Sequence, residues 1–239
     1  MLTIVIPMAG RGRRFVEAGY SEPKPLIDIK GRPMVWWAVQ GLPAVPPERM
    51  IFIVLGEHVS GYAIDDEVRR IFSPQARVVV QSSASDGQAT GVLAVREWID
   101  NEEPLLIHNC DTYAPGTGEA LTTALREYPD SDGLVPVFEA NDPSLSYVQV
   151  GPAGCATKVA EKEGLSNHAT TGTYYFRRGR DFVWAADRMI RDGFRVRGEY
   201  YVLPTYQYLI DRGMRIRIVR PQAVHVLGTP EGVAKFLRD

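Results

Sequence analysis

The opening stretch, residues 3–33, constrains this chain more than any other, because a strand is followed there at once by a short basic loop. Residues 3–6 (TIVI) are apolar and mostly β-branched, which predicts a buried strand. Residues 9–14 (AGRGRR) then combine small residues with three arginines. Small residues let backbone N–H groups approach a phosphate closely, and guanidinium groups donate paired hydrogen bonds to its oxygens. We therefore expect a phosphate-binding loop directly after the first strand.

A conformationally restricted lysine follows this loop. Lys24 stands between Pro23 and Pro25, whose fixed φ angles stiffen the backbone and direct the ammonium group. The glycine spacing matches neither the P-loop, G-x-x-x-x-G-K-[ST], nor the Rossmann pattern, G-x-G-x-x-G. A basic surface loop before a helix would explain the glycines and arginines alone. The full order of strand, loop, Pro-Lys-Pro and residues 31–33 (GRP) favours a phosphate site.

These segments resemble the signature of the nucleotidyltransferases that activate sugar phosphates. In that family a G-x-G-x-R loop is followed by P-K-P-L and G-[KR]-P-M, which here are residues 10–14, 23–26 and 31–34. The resemblance covers most of the chain and is strongest over residues 3–34 and 81–113. It implies transfer of a nucleotidyl group from a nucleoside triphosphate to a small phosphorylated acceptor, with release of pyrophosphate.

The apolar pattern of the first half predicts the fold. Strand-like runs alternate with segments of helical periodicity, at residues 3–6, 50–55, 77–81, 104–109 and 135–138. This alternation predicts an α/β fold with a Rossmann-like, mostly parallel sheet and helices on both faces, which the resemblance implies in its GT-A-like form. Ligands of such sheets bind at the carboxyl ends of the strands. We therefore expect one rim to carry the loops after residues 7, 55, 81 and 110.

The pattern changes near residue 139, where short strands joined by loops are predicted at 147–150, 155–160 and 172–177. No linker separates the two parts. We therefore predict a single domain over residues 1–239, with a nucleotide-binding half (1–138) and a smaller, elaborated acceptor-binding half (139–239).

Composition narrows the class of protein. The formal net charge of −2 argues against a general nucleic-acid-binding protein, so the arginine cluster is expected to be a local site. No apolar run approaches a membrane span, and no signal-peptide pattern precedes the first strand. Cys110 and Cys155 suggest neither a disulfide framework nor a zinc site. We expect a cytoplasmic protein with no nucleic-acid or membrane partner; nothing fixes its oligomeric state.

A second loop offers groups for a base. Gln81 ends a predicted strand, and its amide can hydrogen-bond a base edge, while Gly87 would let a ring approach the backbone. From the residues alone, an ordinary Gln that caps a helix explains the position as well. The resemblance assigns both residues to the base, through a partial match to Q-x-x-x-x-G-x-x-x-A.

Asp111 is the candidate metal ligand. A carboxylate after the buried strand 104–109 is costly without a cation partner, and one or two carboxylates with phosphate oxygens suit Mg²⁺. A turn or N-cap role is the alternative, but the resembled family has its metal-binding Asp here, which implies Mg²⁺ as cofactor. That family also has an Asp before G-T-P or G-T-H, where this chain has Val226. His225 offers a partial substitute, although a lone histidine at a strand start usually has a structural role.

A third segment offers groups for the acceptor. Glu161 and Lys162 end a predicted strand, and such a pair usually forms a solvated edge. The family has E-K followed by T-G-x-Y, here residues 171–174 (TGTY). The resemblance therefore implies that Lys162 binds the acceptor phosphate and Glu161 its hydroxyls, with Gly172 and Glu199 as further contacts.

The resemblance thus implies the following roles: catalysis for Arg14, Lys24 and Lys162; nucleotide binding for Ala9, Gly10, Arg11, Gly12, Arg13, Gln81 and Gly87; acceptor binding for Glu161, Gly172 and Glu199; and metal binding for Asp111.

The substrates stay open. With no Asp at position 226 and a compact length, the chain also resembles small bacterial cytidylyltransferases of capsule and surface-polysaccharide pathways. This resemblance implies CTP as the nucleotide and a sugar 1-phosphate or another small phosphate as the acceptor. One alternative is a GT-A glycosyltransferase, but residues 111–113 (DTY) lack its D-x-D motif. Another is a non-catalytic nucleotide sensor, which would bind nucleotide regardless of Mg²⁺. The aromatic pairs Trp36-Trp37 and Tyr200-Tyr201 are expected in the core.

Overall fold

The computed structural model describes residues 1–238, and one ten-stranded sheet forms its centre. The strands are β1 (Thr3–Pro7), β2 (Asp28–Ile29), β3 (Arg32–Pro33), β4 (Met50–Leu55), β5 (Arg77–Gln81), β6 (Leu105–His108), β7 (Thr112–Tyr113), β8 (Gly133–Glu139), β9 (Tyr147–Val150), β10 (Ala156–Ala160), β11 (His168–Thr170), β12 (Thr173–Phe176), β13 (Ile216–Val219) and β14 (His225–Val226). The helices are α1 (Arg13–Glu17), α2 (Met34–Val39), α3 (Gly56–Tyr62), α4 (Ile64–Ile71), α5 (Gln88–Leu93), α6 (Arg96–Ile99), α7 (Thr117–Glu127), α8 (Gly179–Arg191), α9 (Thr205–Ile210) and α10 (Pro230–Arg238).

The strand order explains how the two halves meet. It runs β10-β9-β11-β8-β12-β6-β1-β4-β5, with β13 beside β8. The neighbours β6, β1, β4 and β5 are parallel, as the alternating pattern predicts. Strand β12 runs antiparallel to both β6 and β8, so β6 and β8 share one direction, and β13 is parallel to β8. The predicted α/β fold is confirmed. Strand β12 of the second half lies inside the sheet, between β6 and β8.

The continuous apolar strands are buried on both faces. In β1, Val5 faces one apolar cluster, while Ile4 and Ile6 face another, because side chains alternate along a strand. Helices α5, α8 and α9 cover the first face, and α2, α4 and α7 cover the second. Phe176 of β12 stacks on Tyr206 of α9, with ring centroids 4.5 Å apart. This double burial accounts for the unbroken apolar runs of the sequence.

Elements that the sequence pattern does not predict are short or polar. Helix α1 has five residues and β11 has three, and α3 (GEHVSGY) lacks an apolar period. Within residues 1–238, no helix is both long and apolar enough to cross a membrane.

Candidate active site

A cavity of about 970 Å³ opens at the carboxyl ends of β1, β5 and β6. All the residues to which the sequence analysis assigns a role line it, namely Ala9, Gly10, Arg11, Gly12, Arg13, Arg14, Lys24, Gln81, Gly87, Asp111, Glu161, Lys162, Gly172 and Glu199. The expected loop after residue 55 does not, because α3 begins directly at Gly56 and only Ile53 of β4 reaches the cavity.

The basic loop lies directly over Lys24. Gly12 has a φ of 61°, and a Cβ there would stand 3.0 Å from the Cβ of Lys24, so both conformation and space require glycine. A Cβ at Gly10 would meet nothing within 4 Å. The side chains of Arg11 and Arg14 are exposed, and Arg11 Nε donates to Glu57 Oε1 at 3.3 Å. Positive charge therefore surrounds an open loop of small residues.

Lys24 and Asp111 form an ion pair beneath this loop. Lys24 Nζ lies 2.6 Å from Asp111 Oδ2, and each side chain is about one-fifth exposed. Burial by itself would lower the pKa of Lys24, but the Asp111 carboxylate outweighs it and raises that pKa. Burial would likewise raise the pKa of Asp111, but the Lys24 ammonium lowers it. Both groups are therefore charged at neutral pH, and Asp111 has a cation partner from its own chain.

The donor set around Asp111 suits a metal that takes most of its ligands from phosphate and water. Among residues 1–238 there is no group of three or more His, Cys, Asp and Glu side chains that could hold an ion. Mg²⁺ commonly binds through one or two carboxylates with phosphate oxygens and water, so the single carboxylate of Asp111 fits it.

Val226 occupies the position at which the resembled family has a second Asp. It pairs with Thr112 across β14 and β7, is 36% exposed and lines the cavity. Its isopropyl group supplies no ligand. The ring of His225 stacks on that of Tyr113, with centroids 5.5 Å apart, and lies 4.8 Å from that of Phe236. His225 thus belongs to an aromatic cluster at the cavity margin.

Two polar residues to which the sequence assigned no role, Gln88 and Asn109, also line the cavity. A Cβ at Gly172, whose φ is 76°, would collide with the side chain of Asn109, and the Asn109 N–H donates to the Gly172 carbonyl at 2.9 Å. The side-chain amide of Gln88 donates to Asn109 Oδ1. The position of Asn109 at a strand end, two residues before Asp111, is the sequence signal that could have indicated it.

The loop between β5 and α5 is held by Tyr200. The Tyr200 N–H donates to the Asp86 carbonyl at 2.8 Å, and the Ala89 N–H donates to the Tyr200 carbonyl at 2.9 Å. Gly87 has a φ of 124°, and a Cβ there would collide with the Tyr200 backbone. Glycine is required at this position because the Tyr200 backbone approaches it closely. The sequence-based expectation was that a ligand ring would approach Gly87 instead.

Gln81 faces the cavity beside this loop. Its Nε2 donates to the Gly91 carbonyl at 3.4 Å, whereas its Oε1 is buried with no hydrogen-bond partner among residues 1–238. A buried acceptor without a partner is costly, so a ligand that donates a hydrogen bond there would stabilise the site.

A second carboxyl group and lysine, Glu161 and Lys162, line the part of the cavity that the resemblance assigns to the acceptor. Glu161 is only 9% exposed, and burial raises its pKa to about 7. Lys162 adopts a left-handed φ of 55°, its ammonium contacts the Tyr201 hydroxyl, and it lies 4.2 Å from the centre of the Tyr201 ring. Burial lowers the pKa of Lys162. The charge of the Glu161 carboxyl group therefore changes near neutral pH.

The expectation that Tyr200 and Tyr201 both lie in the core is correct for Tyr200 and wrong for Tyr201. Tyr200 is buried, whereas Tyr201 is half-buried and lines the cavity beside Lys162 and Glu199. Adjacent residues of an extended segment point to opposite sides, so only one of such a pair can face the core.

The fold and cavity define the class of protein as a nucleotidyltransferase. Residues 4–173 match the MobA-like NTP transferase domain, and the chain belongs to that family. The solved structure of the nucleoside-diphosphate-sugar pyrophosphorylase from Vibrio cholerae RC9 superimposes with a TM-score of 0.82 and 26% identity, over 99% of this chain and 100% of that one. The family, the fold and the enzyme class are thereby confirmed.

The similarity to other proteins also extends over nearly the whole of this chain. The UTP–glucose-1-phosphate uridylyltransferase AglF of Haloferax volcanii is 25% identical over 232 residues, which cover 95% of this chain and 91% of that protein. The bifunctional protein GlmU of Burkholderia mallei is 21% identical over 92% of this chain and 47% of its own length. The inositol-1-phosphate CTP transferase of T. maritima shares the fold, with a TM-score of 0.73 and 15% identity over 99% and 93% of the two chains.

Proposed function

We propose that this nucleotidyltransferase moves a nucleotidyl group from CTP to a sugar 1-phosphate or another small phosphorylated acceptor, for the synthesis of capsule or surface-polysaccharide precursors. The observation that carries the proposal is the Lys24–Asp111 ion pair, 2.6 Å long, directly beneath a basic glycine loop. A lysine, a carboxylate and free backbone amides are the groups that a triphosphate and its metal require.

The loop binds the part of the triphosphate that leaves. Arg14 and the amides of Gly10 to Gly12 hold the β- and γ-phosphates, and Arg11 and Arg13 add positive charge. The open space around Gly10 supports this role, because no side chain lies where a phosphate must approach.

Lys24 and Asp111 act at the α-phosphate. Lys24 neutralises the negative charge that develops there, while Asp111 holds Mg²⁺. The metal, when bound, supplies Lewis-acid charge neutralisation to the phosphate oxygens. As phosphate oxygens enter the cavity, the Lys24 ammonium exchanges its contact with Asp111 for contact with the substrate.

The reaction needs no general base. An acceptor phosphate oxygen, already ionised, forms a bond to the α-phosphorus, the bond from that phosphorus to the α,β-bridging oxygen breaks, and pyrophosphate leaves. Alignment of the two substrates and neutralisation of charge therefore provide the rate enhancement.

The second carboxylate–lysine pair binds the acceptor. Lys162 holds the acceptor phosphate in line with the α-phosphorus, and the contact with Tyr201 restricts its long side chain. Glu161 binds acceptor hydroxyls, with Glu199 and Gly172 at the margin. Since the pKa of Glu161 is about 7, its carboxyl group can donate or accept a hydrogen bond near neutral pH.

Gln81 and Gly87 lie where the base binds. The free Oε1 of Gln81 accepts from the exocyclic amine of cytosine, but the N3–H of uracil offers a donor as well. The similarity to AglF over 95% of the chain therefore favours a second candidate, UTP with glucose 1-phosphate.

A substrate panel tests the proposal. Pyrophosphate release is measured with Mg²⁺ for the four NTPs and dTTP, each crossed with sugar 1-phosphates and with polyol, amino-alcohol and amino-acid phosphates. Release with CTP and one acceptor supports the proposal, and release with UTP and glucose 1-phosphate selects the second candidate. No release with any pair, together with nucleotide binding that ignores Mg²⁺, favours a sensor; consumption of a nucleotide sugar favours a glycosyltransferase.

A further inference from the structure

A fully buried histidine lies at the end of β6, three residues before Asp111. The exposed fraction of His108 is 0%. Its Nε2 lies 3.0 Å from the Thr112 carbonyl oxygen, and its Nδ1 lies 2.8 Å from Thr173 Oγ1. A carbonyl only accepts, so Nε2 carries the hydrogen and Nδ1 accepts from the Thr173 hydroxyl. Burial lowers the pKa of His108 to about 4, which keeps the ring neutral.

The hydrogen bonds of His108 continue into the next turn. The Thr171 hydroxyl donates to Thr173 Oγ1 at 2.8 Å, and these two threonines flank Gly172. The chain of donors therefore runs in one direction, from Thr171 through Thr173 and His108 to the Thr112 carbonyl. Only the Nε2–H tautomer satisfies every member.

The same turn is anchored at a second carbonyl. The Leu227 N–H donates to the Asp111 carbonyl at 2.8 Å, and His108 donates to the carbonyl of the next residue, Thr112. The two bonds hold consecutive peptide planes: Leu227 holds the plane between Asp111 and Thr112, and His108 holds the plane between Thr112 and Tyr113. The turn that carries Asp111 is therefore fixed on both sides of Thr112.

We propose that His108 is a positioning residue, which holds the turn that carries Asp111 against the turn that carries Gly172. It thereby sets the distance between the metal-binding and acceptor-binding sides of the cavity. The proposal rests on the proposed function, because that function gives Asp111 its role. An apolar side chain would fill the same core volume without burying polar atoms, so the hydrogen bonds explain why an imidazole stands there.

Three variants and one control test this role. In His108→Gln the amide Nε2 can still reach the Thr112 carbonyl, whereas His108→Leu keeps the volume and removes both hydrogen bonds. Thr173→Val removes the hydroxyl that orients the ring. The control is His58→Gln, because His58 is also buried but lies on α3, away from the cavity lining.

We expect His108→Leu to lower kcat and to raise the half-activating Mg²⁺ concentration, each on the order of tenfold, because it loosens the turn that orients Asp111 and disturbing the support of a metal ligand has effects of about that size. The KM for the acceptor should change less than kcat. His108→Gln should recover most of the loss, Thr173→Val should fall between, and the control should match the wild type. The positioning role is wrong if kcat falls equally in His108→Leu and His108→Gln. It is also wrong if the decrease in kcat only matches the decrease in the folded fraction measured by thermal melting.

Mn²⁺ titration of the protein alone, followed by EPR, separates this proposal from the proposed function. We expect weaker Mn²⁺ binding in Thr173→Val and His108→Leu than in the wild type and the control. That result supports the positioning role whether or not the wild type releases pyrophosphate. Failure of the wild type to release pyrophosphate counts against the proposed function only. Equal Mn²⁺ affinity in all variants overturns the positioning role even when the enzyme is active.

Discussion

The cavity contains two carboxylate–lysine pairs whose electrostatics are opposite. Lys24 and Asp111 stabilise each other's charges, so both groups stay charged over a wide pH range. In Glu161 and Lys162, desolvation dominates, raising the pKa of the acid and lowering that of the base. Groups that stay charged suit a highly charged triphosphate, and a carboxyl group whose charge changes near neutral pH suits an acceptor that presents both hydroxyls and a phosphate.

Arg14→Ala tests the phosphate loop. The side chain is exposed in the cavity, so we expect the melting temperature to stay within experimental error of the wild type. Loss of a guanidinium that faces developing charge should lower kcat on the order of 10²- to 10³-fold. Steady-state pyrophosphate release measures the change, and Arg126→Ala, at an exposed position of α7, is the control. Near-normal turnover in Arg14→Ala would remove Arg14 from the mechanism.

Glu161 makes stability depend on pH in a defined window. Because burial raises its pKa from 4.5 to about 7, the folded state holds a proton that the unfolded state releases. Its contribution to stability is therefore complete below pH 4.5 and is lost as the pH rises through about 7.

We expect Glu161→Gln to gain stability relative to the wild type as the pH rises from 4.5 to 8, by up to about 3 kcal/mol. Urea denaturation at several pH values measures the difference between the two free energies of unfolding. Glu163→Gln, at an exposed position two residues on, should show no such trend. A constant difference between Glu161→Gln and wild type would show that Glu161 has the same pKa in the folded and unfolded states.

At the scale of elements, the β7–β14 ladder brings the segment around Val226 close to the proposed metal ligand Asp111. Val226 lies opposite Thr112 in this ladder, and a Cβ at Gly228 would stand only 2.7 Å from Asp111 Oδ2. The segment from Val226 to Gly228 therefore passes close to the Asp111 carboxylate, and it contributes no carboxylate of its own.

Val226→Asp should restore a second carboxylate at this edge. We expect the half-activating Mg²⁺ concentration to fall by roughly threefold or more, because affinity rises with the number of charged ligands. The position is 36% exposed, so unfolding should change little. Mg²⁺ titration of pyrophosphate release provides the measurement, with Val226→Asn as the uncharged control. An unchanged or higher Mg²⁺ requirement in Val226→Asp would mean that this edge does not face the metal.

Individual elements show what the sequence could predict. Strands β4 and β5 have the bounds expected from their apolar runs. In β4 the reason is double burial, which demands unbroken apolar residues, whereas β5 is a partly exposed edge strand whose β-branched valines favour an extended backbone. The cavity residues after β1, β5 and β6 were predictable because the carboxyl ends of parallel strands meet at one edge. Those of the second half, such as Glu161 and Lys162, were predictable only through the family resemblance. Their partners were not: Lys24 reaches Asp111 across 87 residues of sequence, and Lys162 reaches Tyr201 across 39. Such contacts depend on how loops fold back, which local periodicity does not encode.

At the scale of the whole molecule, the position of β12 joins the two halves. This strand comes from the acceptor-binding half, yet it lies between β6 and β8 of the nucleotide-binding half. Its position in the middle of the sheet was not predictable, since an apolar run does not specify its neighbours. Removing residues after 138 would expose the edges of both strands and the apolar faces that α8 and α9 cover.

We therefore expect the two halves to unfold together, as a single domain. Trp36, Trp37 and Trp98 lie in one half and Trp184 in the other, so fluorescence reports on both. Urea unfolding should give one transition with the same midpoint by tryptophan fluorescence and far-UV circular dichroism. A Trp184→Phe variant, which removes the second-half probe, should keep that midpoint. Two separated transitions would instead indicate two independent domains.

The fate of an isotopic label shows whether the α-phosphorus is the site of transfer. With the nucleotide and acceptor identified by the panel, parallel reactions contain the α-³²P- or the γ-³²P-labelled triphosphate. We predict that α-label appears in the acceptor product and γ-label in pyrophosphate, only when the acceptor is present. Transfer of γ-label to the acceptor, or release of γ-label as inorganic phosphate without any pyrophosphate, would contradict the account.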